Sequence, residues 1–488
     1  MKILITASEA VPYIKTGGLA DVTGTLAVEL ARARHEVILA LPLYQQIDRE
    51  KWGLELAVDF LGVKMGDSEL YGRVWKRKVT AKLTVIFIEY DRYFDRNPIY
   101  NDGAKDYYDN GSRFAFLSKA ALDACVSLDF CPDIVHANDW QTALMPYYVK
   151  TWNFPGGFFD DTACLLSVHN IGYQGHMPSD IMGFIGIQKW QFRDCEFESF
   201  GGLNFLKGGI YYADKVTTVS PSYADEILGE PGGSGLSPYL GYRKDDVVGI
   251  LNGIDTNEWN PKKDKLIPAK FAAEDLSGKA ICKADLQKEF GLPVDEKIPL
   301  FGLVGRLADQ KGLDLLKGCI EELLTWDIQI VLLGSGDPEL AAYFGSLPAK
   351  FPTKFGSYIG FENRLAHLIE AGSDFFIMPS RYEPCGLNQM YSLAYGTLPI
   401  VRATGGLKDT VENYVAGTDK GTGFVFETIS VDALKNTIGW AVDTWFNHPK
   451  DIAKMQQKAL AQDFSWKQAI KQYTAAYKAA QKRRKLWV

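Results

Sequence analysis

Lys15-Thr16-Gly17-Gly18-Leu19-Ala20-Asp21-Val22 is the stretch on which the reading of this chain turns. An apolar run, Ile3 to Ala7, precedes it and has the composition of a strand. Behind it, apolar residues at helical spacing run from Val22 to Arg34. A lysine and two adjacent glycines therefore lie between strand one and helix one. Paired glycines let backbone N–H groups approach a ligand, and a helix N-terminus favours an anion. Lys15 adds a mobile cation suited to phosphate. A Gly-Gly pair alone is an ordinary helix start. Its weight comes from the same chemistry returning further along the chain.

The 488 residues are too many for one hydrophobic core, so two domains are expected. Apolar residues at 47% and charged residues at 23% suit a globular protein. A net charge of −7 argues against a nucleic-acid partner, since nucleic-acid binders are usually basic. No apolar run is long enough to span a bilayer, and Met1 leads straight into the first strand without a signal pattern. The expectation is a cytoplasmic protein with no membrane partner. The seven cysteines include no CxxC pair and no Cys/His cluster at zinc spacing, so they read as reduced thiols and no metal site is expected.

Strand-like runs alternate with helical patterns. In the first half the strands are Lys2–Ala7, Val37–Leu41, Val85–Ile88, Ile134–His136, Cys164–Val168 and Lys215–Val219. Helices are expected at Asp21–Arg34, Gly111–Leu128 and Gln141–Trp152. Short continuous apolar strands with helices between them mean a parallel, doubly wound sheet. The pattern restarts after the turn-rich segment Asn252 to Pro261, with strands Pro299–Val304, Gln329–Leu333, Phe375–Met378 and Pro399–Val401 and helices Gly312–Leu324, Arg364–Ala371 and Leu387–Tyr395. The expected architecture is α/β: two Rossmann-like domains facing across a cleft, residues 1–248 and 249–464. Residues 465–488 form a helix returning to the first domain on a stripe of Trp466, Ile470, Tyr473 and Tyr477. The basic end, Lys482 to Lys485, reads as a solvated tail, and Glu230–Gly235 and the aromatic-rich Gly175–Gly201 read as mobile loops.

The first strand of the second half ends in Val304-Gly305-Arg306-Leu307, and Gln310-Lys311-Gly312 follows. Arg306 and Lys311 are two cations at one strand end, a guanidinium fork and a point charge. Thr404-Gly405-Gly406-Leu407 repeats the Gly-Gly pattern between a strand and a helix, where its N–H groups would cradle phosphate. Singly, Arg306 is an ordinary surface residue; together the three strand ends describe a diphosphate, and a nucleotide diphosphate is the obvious ligand. The G-x-G-x-x-G fingerprint does not follow strand one and no Walker A motif is present, which counts against a dehydrogenase and a P-loop ATPase.

Glu383 lies on the strand-to-helix turn Pro379–Leu387, with Pro384, Cys385 and Gly386 beside it, placed to accept hydrogen bonds from sugar hydroxyls. A carboxylate favoured by a helix dipole is the bland alternative. His169-Asn170 follows the strand ending at Val168, and Asp139 closes the strand through His136. A satisfied core histidine is the generic reading of His169.

These residues, in this order and spacing, resemble the bacterial glycogen synthases and plant starch synthases. The resemblance runs from Met1 to about Trp466 and is carried by Lys15–Val22, His136–Trp140, Val168–Ile171 with Tyr173–Gly175, Leu251–Asp255, Gly305–Leu307 with Gln310–Gly312, Pro379–Leu387 and Thr404–Leu407. It implies a retaining glucosyltransferase of the two-Rossmann (GT-B) architecture, with ADP-glucose as donor and an α-1,4-glucan or maltooligosaccharide as acceptor. It implies that Lys15, Arg306 and Lys311 contact the donor diphosphate, with Gly18 and the Thr404, Gly405, Gly406 and Leu407 backbone. Glu383 would hold glucosyl hydroxyls and His169 would sit beside the transferred sugar. Asp21, Tyr93, Asp139, Asn170, Cys385 and Gly386 would lie near donor sugar or acceptor. Phe361 stands where relatives carry an aromatic near adenine, and Arg34 where many carry Gly. ADP-glucose is a substrate, so no cofactor and no metal are implied. Ala20 and the missing transit peptide lean towards a bacterial member.

Two alternatives stay open at this level. One is a transferase of the same fold using UDP-glucose. The other is a non-catalytic glucan-binding protein, which would be expected to lack Lys15, Arg306, Lys311 or Glu383.

Overall fold

The computed structural model describes residues 1–103 and 105–486. The chain divides into two compact units, Met1–Asn252 together with Trp466–Val488, and Gly253–Ser465. In the first unit the strands are β1 (Lys2–Thr6), β2 (Glu36–Pro42), β3 (Glu55–Met65), β4 (Ser68–Lys78), β5 (Leu83–Glu89), β6 (Ile134–Asn138), β7 (Ala163–Val168), β8 (His176–Met177), β9 (Glu198–Ser199), β10 (Gly202–Asn204), β11 (Lys215–Thr218) and β12 (Val247–Gly249). The main sheet runs β12-β11-β7-β6-β1-β2-β5-β4-β3. From β12 to β5 every pairing is parallel, which agrees with the continuous apolar runs.

The sheet is not parallel throughout. β4 pairs antiparallel with β5 and with β3, adding a hairpin at one edge. Its strands carry charges on an exposed face, at Lys64, Glu69 and Arg73 among others, so they lack the buried-strand signature. The helix expected over Gln141–Trp152 is two, Asp139–Thr142 and Met145–Thr151. Pro146, which has no N–H to give, stands at the start of the second. Gly175–Gly201 is not a plain loop: with Gly202–Asn204 it builds the three-stranded sheet β8-β10-β9, and Phe197 is buried against Tyr147 and Tyr212. The Glu230 carboxylate accepts from Gly235 N and Ser237 Oγ at 2.9 and 2.6 Å, closing the second glycine-rich turn on itself.

The last helix, Trp466–Arg484, buries Trp466, Ile470, Tyr473 and Tyr477 within the first unit. Tyr477 OH lies 2.9 Å from His136 Nδ1, and Ser167 Oγ lies 2.7 Å from Nε2. Burial pushes His136 down to about 3, so the ring is neutral, with one nitrogen donating and one accepting. The basic end is not wholly solvated: Arg483 pairs with Asp246 at 3.0 Å and Arg484 Nε donates to Asp160 O at 3.2 Å.

In the second unit the strands are β13 (Leu300–Leu307), β14 (Gln329–Gly336), β15 (Phe355–Ile359), β16 (Phe375–Met378), β17 (Leu398–Arg402) and β18 (Phe424–Phe426). They form one wholly parallel sheet in the order β15-β14-β13-β16-β17-β18. Helices such as Leu313–Leu323 and Val431–Asn447 bury one apolar face each against it.

The first helix, Gly18–Arg32, ends through Ala33 into Arg34, whose φ is 69°. That is the left-handed position a helix end usually gives to glycine. An L side chain there costs about 1 kcal/mol. Arg34→Gly is therefore expected to raise the unfolding free energy by ~1 kcal/mol, read from the urea midpoint at unchanged slope.

Candidate active site

In the first unit, Lys15 is half exposed, and its Nζ donates to Asp21 Oδ1 at 2.7 Å. Asp21 lies in the first turn of the helix, where the dipole favours a carboxylate. Gly17 caps that helix with no side-chain hydrogen bond, and Gly18 is its first residue. Neither glycine needs φ above zero, and a Cβ built on either meets nothing within 4 Å. Packing therefore does not demand them; they keep space clear over the helix N-terminus. One part of the sequence reading is corrected here. The Thr16 and Gly17 N–H groups are not offered outward, because both donate to the Glu9 carboxylate, Gly17 at 3.2 Å.

Asp139 follows β6 in a left-handed conformation, φ 54°, which turns its carboxyl towards the end of β7. There Oδ1 accepts from His169 N at 2.6 Å and from Asn170 N at 3.4 Å. Burial pushes the Asp139 carboxyl up to about 7, against the pull of those two N–H groups. Asn138 Nδ2 donates to Thr6 O at 3.1 Å, which leaves its Oδ1 to accept from His169 Nε2 at 2.9 Å. His169 is thereby held with Nδ1 as its acceptor. Desolvation pushes the ring down to about 4, so it is neutral at ordinary pH. Asp139, His169 and Asn170 thus form one constellation.

Tyr93 does not join them. Its ring is buried among Tyr90, Phe94 and Phe116, and burial pushes its phenol up to about 12. Its backbone lies in the short helix Asp91–Phe94.

In the second unit, Arg306 is exposed near the end of β13, and its guanidinium donates to Gln310 Oε1 at 3.3 Å. Gly312 follows at φ 65°, and a Cβ there would lie 2.0 Å from Pro379 O. This contact ties the β13 turn to the β16 turn and delivers Lys311 to Glu383, Nζ to Oε2 at 2.6 Å. Ser380 Oγ donates to the same oxygen at 3.0 Å. Glu383 is buried and Lys311 partly so. Arg402 braces the turn from behind, donating to Ser380 O at 2.9 Å and to Arg381 O.

The Thr404–Leu407 turn also acts from behind. Gly406 N donates to Glu383 O at 3.1 Å, Thr404 N to Arg402 O at 2.9 Å and Leu407 N to Thr404 O at 3.0 Å. These three N–H groups are satisfied inside the chain, which corrects the expectation that they all point to a phosphate. The glycines are there for contact: a Cβ on Gly405 would lie 2.1 Å from Glu383 O, and one on Gly406 1.9 Å from Cys385 O. Cys385 is buried, and Gly386 turns the chain at φ 69°. Phe361 stands on the loop after β15, 75% exposed. Among the described residues, no group of three or more His, Cys, Asp or Glu is arranged to hold a metal ion, and no helix is long and apolar enough to cross a membrane.

Residues 2–241 match the family described as starch synthase catalytic domain, and residues 285–459 match glycosyl transferases group 1. Glycogen synthase 1 of Geobacter metallireducens is 45% identical over 99% of this chain and 97% of its own. The chain belongs to the glycogen and starch synthase family. It is a glycosyltransferase with the two-domain α/β fold of the GT-B type. Glycogen synthase of Treponema denticola is 41% identical over 98% of both chains. The catalytic domain of starch synthase IV from Arabidopsis thaliana, solved bound to ADP and acarbose, superposes with a TM-score of 0.90 at 32% identity, covering 99% of each chain.

Sequence reasoning missed Glu9, Asn138, Ser380 and Arg402. Each acts through a contact with a residue that carries an obvious motif. Asn138 and Ser380 lie inside the His136–Trp140 and Pro379–Leu387 stretches, and Glu9 just past a strand end, positions that could have drawn attention to them.

Two outcomes follow from this geometry. Gly17→Ala fills open space, so it should leave the thermal midpoint unchanged, whereas Gly406→Ala drives a Cβ into the Glu383 turn and should cost ~1–3 kcal/mol by urea titration. Asp139 holds the His169 N–H best when ionised. The transfer rate should therefore climb as pH rises through about 7, and Asp139→Asn should lose that inflection in the kcat profile.

Proposed function

We propose that this enzyme transfers the glucosyl group of ADP-glucose to the non-reducing end of an α-1,4-glucan, or of a maltooligosaccharide, with retention at the anomeric carbon. The observation that carries this reading is the Lys311–Glu383 pair beside Arg306, where β13 and β16 end. It puts a held carboxylate next to two cations, as a sugar joined to a diphosphate requires. Glu383 Oε2 is taken by Lys311 and Ser380, while Oε1 accepts no hydrogen bond among the described residues and is available to a glucosyl hydroxyl.

ADP is a good leaving group, so the chemistry needs no strong acid. It needs positive charge where the departing phosphate oxygen becomes negative. Arg306 and Lys311 supply it, and Lys15 is proposed as a further cation for the diphosphate; one such preorganised contact is worth about 3 kcal/mol. Phe361 offers a ring for adenine to stack on. Neutral His169 sits beside the transferred sugar as a hydrogen-bonding partner without adding charge, held by Asn138 and Asp139. Retaining glycosidases set two carboxylates about 5 Å apart and form a covalent intermediate. Here Glu383 is already engaged by Lys311, which lowers its nucleophilicity. The acceptor hydroxyl then attacks on the face the diphosphate leaves, through a short-lived oxocarbenium ion pair, and the departing phosphate takes its proton. The cations do the charge neutralisation, so the scheme asks for no metal. The homologous glycogen synthases and the starch synthase structure with ADP and acarbose support the donor and acceptor classes. The bacterial relatives support a cytoplasmic setting.

The test supplies labelled ADP-glucose or UDP-glucose with glycogen in the presence of a chelator. Incorporation into α-1,4-linked polymer is expected from ADP-glucose, falling by about 100-fold or more in Lys311→Ala and in Glu383→Ala. Equal incorporation from UDP-glucose would overturn the donor assignment. No transfer from either donor, with glycogen still retained, would favour a glucan-binding protein.

A further inference from the structure

The carboxylate of Glu9 is buried, and no lysine or arginine among the described residues lies within ion-pair distance of it. A buried charge without a cation is costly unless hydrogen bonds hold it. Those bonds come from the Lys15–Gly18 turn. Thr16 N and Gly17 N donate to Oε2, and Thr16 Oγ1 lies 2.9 and 3.0 Å from the two oxygens. The remaining donor is distant in sequence: Tyr100 OH lies 2.9 Å from Oε1. Ser8 Oγ lies 2.7 Å from the same phenol. A carboxylate can only accept, so the protons order themselves from Ser8 to Tyr100 to Glu9. The backbone is tied as well, since Thr23 Oγ1 donates to Glu9 O at 2.7 Å.

This arrangement fixes which way the turn faces. With the Thr16 and Gly17 N–H groups turned inward, the Lys15 side chain and the first N–H groups of the helix, at Gly18 and Leu19, are the ones left to meet an anion, since Ala20 N already donates to Gly17 O. A Cβ built on Gly17 or Gly18 would meet nothing within 4 Å, so no neighbouring side chain closes over the turn at those positions. Glu9 holds it. Tyr100 is itself anchored, because Asn110 Nδ2 donates to Tyr100 O at 2.9 Å and the buried Arg113 donates to Asn110 Oδ1 at 2.6 Å.

We propose that Glu9, braced by Tyr100, is a positioning residue that sets the Lys15–Gly18 turn for the donor's diphosphate. The inference deepens the reading given under Proposed function and rests on it. Glu9 itself does not touch the donor. Its loss should weaken donor binding while leaving glucan binding alone, a split that general loss of stability would not produce.

The experiment compares the full chain with Glu9→Gln and Tyr100→Phe. Glu9→Gln puts an amide N–H in place of one accepting oxygen; Tyr100→Phe removes one hydroxyl and keeps the ring, the milder change should the first fail to fold. Hydrogen exchange at the Thr16 and Gly17 amides reads the clamp directly, calorimetry reads ADP binding, and retention on glycogen reads the acceptor side. The expected result is exchange at those amides faster by about tenfold or more in Glu9→Gln and about threefold in Tyr100→Phe. ADP affinity should fall by similar factors with glycogen retention unchanged. Unchanged exchange in Tyr100→Phe, or faster exchange with unchanged ADP affinity in either variant, would overturn the proposal. Failure of the unmodified protein to bind ADP would instead sink the donor reading on which the proposal rests, whatever the exchange rates show.

Discussion

Strands that run the same way bring every strand-to-helix turn to one edge of their sheet. That constraint organises both units. In the first, Glu9, Lys15, Asp139 and His169 come from three different turns, yet all follow parallel neighbours, β1, β6 and β7. In the second, Arg306 lies at the end of β13 and Lys311 just after it, Glu383 follows β16 and the Thr404–Leu407 turn follows β17, three strands side by side. No local sequence preference could gather these groups. The sheet does so because β13 pairs with β16 and β16 with β17.

Both units carry a buried carboxylate, but they stabilise it differently. Glu383 has a cation at 2.6 Å and a serine hydroxyl. Asp139 has only backbone N–H groups, and desolvation prevails, raising its carboxyl to about 7. One carboxylate is held by a cation, while burial leaves Asp139 poised to titrate. Glu9 resembles Asp139 in having no cation, but it is surrounded by donors on both oxygens. In each case the hydrogen-bond partners bring along a piece of backbone: the Glu383 turn, the His169 turn and the Lys15 turn. Ordering three loops this way before a ligand arrives removes part of the entropy that binding would otherwise have to overcome.

Much of this was legible in the sequence, for identifiable reasons. Continuous apolar runs such as Ile3–Ala7 and Phe375–Met378 can only be central strands, and the alternation with helices leaves little choice of fold class. Motifs written as contiguous residues, Lys15–Asp21 and Pro379–Leu387, were visible for the same reason. The β3–β4 hairpin was not, because one of its faces is solvated and its charges conceal the alternation. Tyr93 packs among Tyr90, Phe94 and Phe116, contacts that its place in the sequence does not disclose.

The chain's own sequence thus determined the two large α/β sheets, the order of the motifs and the identity of the charged groups, since these depend on local composition and spacing. Only the tertiary structure decided which groups meet. Lys311 reaches Glu383 because Gly312, at φ 65°, lets the β13 turn lie against Pro379. Glu9 finds Tyr100 across 91 residues, and the Thr404–Leu407 glycines serve the Glu383 turn because a side chain there would collide with it. Contacts of that kind depend on close packing between segments far apart in the chain, and a linear reading carries no distance between them.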